Sequence, residues 1–244
     1  MHRGLALAHG GRLQTPRLDY ALGRSLEITF FEGAGFVREY PVQDHLNQGP
    51  FIEALVTRYE QHKTVPEILW TALGWMQIDT TFNEVRFLSG MTAIEAIINR
   101  CMKRRRRVIA RSDFAPLRNK LVAVIETEET LAPRAKELFT KVITQQMNRT
   151  VLQKNIRQLF NEYKISRTDF EDEEIERLVR LRDEIVHTGE IPDGMDIWPS
   201  IILLRELITR ILLKEIGFVG RYCCYVGGRH YRDFPGDGKS PETA

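Results

Sequence analysis

The stretch Glu174-Ile175-Glu176-Arg177-Leu178-Val179-Arg180-Leu181-Arg182-Asp183-Glu184-Ile185-Val186-His187-Thr188-Gly189 decides how this chain folds. Ile175, Leu178, Leu181 and Ile185 recur at helical spacing and form one apolar stripe. The acidic run from Asp169 to Glu176 suits the positive end of a helix dipole. Gly189 suits the left-handed position just past the last turn. The spacing therefore predicts a strong helix over Glu173 to His187, with a face that must be buried against other helices.

Working outward, helical signals continue in both directions. Phe51 to His62 carries apolar residues at helical spacing, and Pro66 stands where a first turn tolerates it, ahead of Ile68 to Ile78. Thr81 with Glu84 reads as a capping box for a helix running to about Arg104. Asp113 reads as the cap of a segment ending near Ile125. Pro133 opens a helix to about Met147, and Thr150 caps one ending near Tyr163. After the central stretch, Pro199 precedes a very apolar helix ending near Ile216. The expected body is a mainly α bundle of seven or eight helices spanning 51–218.

The ends differ. In the first fifty residues, Leu26, Ile28 and Phe30 alternate with polar neighbours as in a strand. Glu32 to Gly35 reads as a turn and Phe36 to Val42 as the returning strand. This short N-terminal β arm is either the tail of a β-rich domain lying upstream in a longer parent or an arm packed on the helices. At the other end, Arg221 to Val226 and His230 to Phe234 flank Gly227-Gly228, a C-terminal β-hairpin signal. Residues 219–244 are thus a hairpin followed by a loose tail.

Composition narrows the functional classes. Apolar residues make up 43% and charged residues 28% of the 244, the balance of an ordinary globular protein with a sizeable core. The net charge of +2 neither demands nor excludes nucleic acid, because local patches matter more than the sum. No apolar run reaches transmembrane length, and Met1 to His9 does not read as a signal peptide. Three cysteines without a CxxC pattern indicate neither a zinc site nor a disulfide framework, so no metal or cofactor is expected and the cytoplasm is the expected location.

Arg182, Asp183 and His187 are the residues that can carry chemistry. His187 falls in the last turn, where the helix dipole favours a cation. Asp183, four residues earlier on the same face, pushes the same way. Arg182 and His187 are about 140° apart around an ideal helix. They converge only through fraying and side-chain reach, or when a second subunit brings a partner pair. RNA carries its own nucleophile, the 2′-OH. A histidine can take its proton or protonate the leaving 5′-oxygen, and an arginine can stabilise charge on the phosphorane. Asp183 can orient the imidazole.

The segment Arg182-Asp183-Glu184-Ile185-Val186-His187 resembles the HEPN signature: arginine, a polar residue, a short gap, then histidine. Arg86-Phe87-Leu88-Ser89-Gly90-Met91-Thr92-Ala93-Ile94-Glu95-Ala96-Ile97 is similar to the long early helix of ApeA-like HEPN proteins. The resemblance covers about two thirds of the chain. It implies a helical bundle that dimerises, with the Arg/His pairs of two protomers facing one cleft. It also implies metal-independent endoribonuclease activity on RNA, tRNA among the candidates, in defence or toxin systems. A non-catalytic HEPN binding or dimerisation module is the alternative, and an upstream domain or regulatory partner is a further expectation. Members paired with antitoxins often carry His-x-Tyr, whereas this chain has His187-Thr188-Gly189.

Other features have two readings. Lys103, Arg104, Arg105, Arg106 and Arg107 form the strongest basic run; they can track an RNA backbone, cap a solvated helix end, or pair with the Asp169 to Glu176 run. Glu95, in an otherwise apolar stretch, can be solvated or can hydrogen-bond Arg182. Trp70 and Trp75 read as core or interface. Tyr222, Tyr225 and Tyr231 read as packing the hairpin rather than clamping a base. The spacing of arginine and histidine alone is weak, since Arg3/His9 and Arg38/His45 also satisfy it.

Overall fold

The computed structural model describes residues 17–22, 25–30, 40–43, 48–61, 65–76, 80–102, 107–148 and 150–236; for 17–30 the backbone alone is described. Eight helices are present among the described residues, with a two-stranded antiparallel sheet before them and another after them. The mainly α architecture follows from the helical apolar spacing.

Strands β1 (Arg17–Leu22) and β2 (Ser25–Phe30) pair with Asp19 opposite Ile28 and Leu22 opposite Ser25. The alternation at Leu26, Ile28 and Phe30 is thus a strand, paired among the described residues with β1 upstream. The expected turn at Glu32 to Gly35 and most of the expected returning strand lie outside the described residues. The segment Tyr40 to Gln43 docks on the bundle. Val42 is buried and its carbonyl accepts a hydrogen bond from the Cys223 N–H at 2.8 Å. Tyr225 donates to the Pro41 carbonyl and Arg205 to that of Tyr40.

The helices are α1 (Gly49–Glu60), α2 (Glu67–Met76), α3 (Asn83–Cys101), α4 (Arg111–Thr127), α5 (Pro133–Gln145), α6 (Leu152–Tyr163), α7 (Asp172–Thr188) and α8 (Trp198–Glu215). Helix α8 is the axis of the core. Almost every residue from Ser200 to Leu213 is buried, which is why its sequence is apolar all round. Helices α2 and α3 pack on it, the latter through Phe87, Met91, Ile94, Ile97 and Ile98. Trp70 and Trp75 are partly buried against this core. Helices α4 and α5 pack mainly on each other and leave Leu117, Val124, Leu138 and Phe139 exposed.

Several helix starts differ from their expected caps. α3 begins after Phe82 without a side-chain cap; Thr80, not Thr81, accepts the Phe82 N–H. Asp113 lies inside the first turn of α4, because the helix starts two residues earlier at Arg111. Val151 takes the position before α6, and Thr150 instead donates its hydroxyl to Asn155 Oδ1 at 2.5 Å.

Glu206 and Arg210 interrupt the apolar sequence of α8, and both are buried. Arg210 donates to Glu206 at 2.7 Å, to the carbonyls of Ser166 and Thr168, and to Asp169 at 2.8 Å. Tyr222, on β3 (Gly220–Cys224), donates to Glu206 at 2.6 Å. Arg232, on β4 (His230–Phe234), closes on the Asp169 carboxylate. Every charge removed from water here has an opposite partner, the condition for tolerating buried ions. The network straps the C-terminal hairpin and the α6–α7 loop to the central helix.

Candidate functional site

Helix α7 presents two faces, as its sequence dictates. Ile175, Leu178, Leu181 and Ile185 are buried, and Gly189 closes the helix at φ +81° with its N–H donating to the Ile185 carbonyl at 2.8 Å. Arg182 stands on the edge of the buried stripe, about one third exposed. Its guanidinium donates to Asp183 at 2.9 Å and lies 3.1 Å from Glu95 on α3. The hydrogen bond to Asp183, aided by the charge on Glu95, raises the arginine pKa and keeps it cationic.

Arg182, Asp183 and Glu95 line one open cleft of about 690 Å³. Ile98 and Asn99 of α3 and Val179 of α7 continue two of its walls. Residues Thr150 to Gln153 and Asn155, at the start of α6, form a third. Arg107 completes the lining. Lys103, Arg104, Arg105 and Arg106 lie outside the described residues, so Arg107 alone of the basic run is placed. The two residues after it are held by a clip: Val108 N–H donates to the Asn148 carbonyl, Ile109 N–H to Asn148 Oδ1, and Asn148 Nδ2 back to the Ile109 carbonyl at 3.0 Å.

His187 does not line the cleft. It is exposed one turn beyond Asp183 on the same face of α7, with no hydrogen bond among the described residues. Asp183, expected to orient the imidazole, is engaged by Arg182. The Glu95 to Arg182 contact is present, whereas Arg182 and His187 are not brought to one point within the protomer. The decoy pairs Arg3/His9 and Arg38/His45 lie outside the described residues.

The acidic run has partners of its own. Asp172 accepts from Arg157 at 2.8 Å and Arg167 at 2.5 Å, Glu176 from Arg157, Glu174 from Arg177, and Asp169 from Arg210 and Arg232. Burial of Asp169 works to raise its pKa, but hydrogen bonds from Arg232 and Arg210 outweigh it and hold the carboxyl below its usual range. Of the hairpin tyrosines, Tyr222 is buried edge-on to Phe234, whereas Tyr231 is exposed and carries the Arg221 guanidinium over its ring. Among the described residues no group of three or more His, Cys, Asp or Glu could hold a metal ion, and no helix is long and apolar enough to cross a membrane.

A helical bundle bearing Arg182-Asp183-x-x-x-His187 on one helix, with the arginine opening into a cleft, is a HEPN-type module. The sequence profile described as Apea-like HEPN matches residues 88–219, more than half of the chain and all of the candidate residues, and the chain belongs to that family. No curated protein and no solved structure matches it.

Proposed function

We propose that this chain is a HEPN-type endoribonuclease that cuts RNA, tRNA among the candidates, without a metal ion, in a defence or toxin-like role. In the proposed reaction the 2′-oxygen bonds to phosphorus as its proton leaves to a base, and the bond to the 5′-oxygen breaks as that oxygen takes a proton. The products are a 2′,3′-cyclic phosphate and a 5′-hydroxyl. Arg182 stabilises the charge on phosphorus and His187 moves a proton. Asp183 holds Arg182 in this reading. The observation that carries it is Arg182 at the wall of an open cleft, held cationic and positioned by Asp183 and Glu95, with His187 solvent-exposed one turn further along.

Because His187 stands outside the cleft of its own protomer, the reading includes a homodimer in which the partner brings the two groups to one phosphate. The test is cleavage of labelled tRNA and single-stranded RNA in EDTA. His187→Ala should slow cutting by about 10²–10⁴-fold, the usual contribution of a general acid or base, with the fold intact by circular dichroism. Arg182→Ala should do likewise. Equal cutting by all three proteins sinks the assignment.

One observation favours a second reading, a non-catalytic binding module. Arg182 is already paired with two carboxylates. Absence of cutting by folded wild-type protein, with RNA retained, supports that reading.

A further inference from the structure

The cleft holds two cations and two anions, and they are not equivalent. Arg182 is engaged by Glu95 at 3.1 Å and by Asp183 at 2.9 Å. Arg107 has no ion pair among the described residues, although it lines the same cleft. Its side chain is exposed while the two residues after it are pinned by the Asn148 clip. A guanidinium beside an anchored segment, with no carboxylate on it among the described residues, suits capture of a phosphate, which takes two parallel hydrogen bonds from arginine. Arg182 cannot meet an incoming anion without competing against two carboxylates already in place.

We infer that Arg107 is a phosphate-binding residue of the cleft, holding a phosphodiester of single-stranded RNA other than the one attended by Arg182. The inference rests on the cleft being the RNA site. It gives the strand two fixed points, one on the segment after α3 and one on α7, with the walls of the cleft between them. It also separates Arg107 from cations such as Arg111 that lie outside the lining. Arg107 sets where the strand lies; the chemistry belongs to other residues.

The test is binding rather than cutting, so that it can fail separately from the nuclease assignment. A fluorescein-labelled single-stranded RNA is titrated by anisotropy across a salt series. The protein is the full chain carrying His187→Ala, alone or with Arg107→Gln or Arg111→Gln. Arg107→Gln should weaken binding at low salt. It should also reduce the slope of log K against log salt by about 0.7, the contribution of one single-strand phosphate contact. Arg111→Gln should leave the slope unchanged. Equal slopes for the parent and Arg107→Gln overturn the inference, as do equal losses from both glutamines or no RNA binding at all. A slope change confined to Arg107→Gln upholds it, even if the wild-type protein cuts no RNA.

Discussion

At the scale of single residues, Glu95 shows what a sequence can and cannot disclose. A lone carboxylate in an apolar stretch can be solvated or can reach a partner, and Arg182 is one candidate. Distance decides the matter: 3.1 Å across two helices far apart in the chain. Both side chains are about one third exposed, so the pair adds little to stability, about 0–1 kcal/mol. Its effect is on charge. Glu95→Gln should leave urea unfolding almost unchanged and tighten RNA binding, because Arg182 then competes with one carboxylate fewer. Anisotropy titration beside a denaturation curve checks both halves. The role expected of Asp183 was less legible. Adjacent residues in a helix do not normally face each other, so its bond to Arg182 depends on the reach of the long arginine side chain.

At the scale of elements, α7 was the most legible part of the chain. Its stripe, its acidic first turn and its glycine stop agree with one another, and local signals that agree specify a helix well. Gly189 is held at φ +81° with open space where a Cβ would stand. Gly189→Ala should therefore cost only backbone strain, about 1–2 kcal/mol, read as a lower urea midpoint. Side-chain caps were less legible: Thr80 rather than Thr81 accepts the Phe82 N–H, and Thr150 bonds Asn155 instead of capping α6. β2 was recognised by its alternation, whereas its described partner, β1, was not. Period-2 patterning reports a face, not a partner.

At the scale of the whole molecule, the buried network was not legible in advance. Glu206 and Arg210 are four residues apart, as in many solvated helix pairs, and their burial depends on Asp169, Tyr222 and Arg232 arriving from elsewhere. Asp169→Asn should destabilise the protein by about 3 kcal/mol, because it leaves Arg232 and one side of Arg210 without a carboxylate. The sign of the pH dependence follows from the lowered folded pKa of Asp169. Its contribution is complete above the unfolded value of about 3.9 and is lost as the pH falls through the lower folded value. Wild-type and Asp169→Asn stabilities should accordingly converge on acidification, as denaturant midpoints taken across that range would reveal.

The strapped hairpin also separates two boundaries that are easily equated. The stretch shared with the family ends at Val219, one residue before β3 begins. A polypeptide cut there would retain Glu95, Arg107, Arg182 and His187, yet it would lose Tyr222 and Arg232 and uncover Glu206 and Arg210. The family match ends at one residue and the contacts of the buried network at a later one, Arg232, so the hairpin should be kept in any shorter piece of this chain.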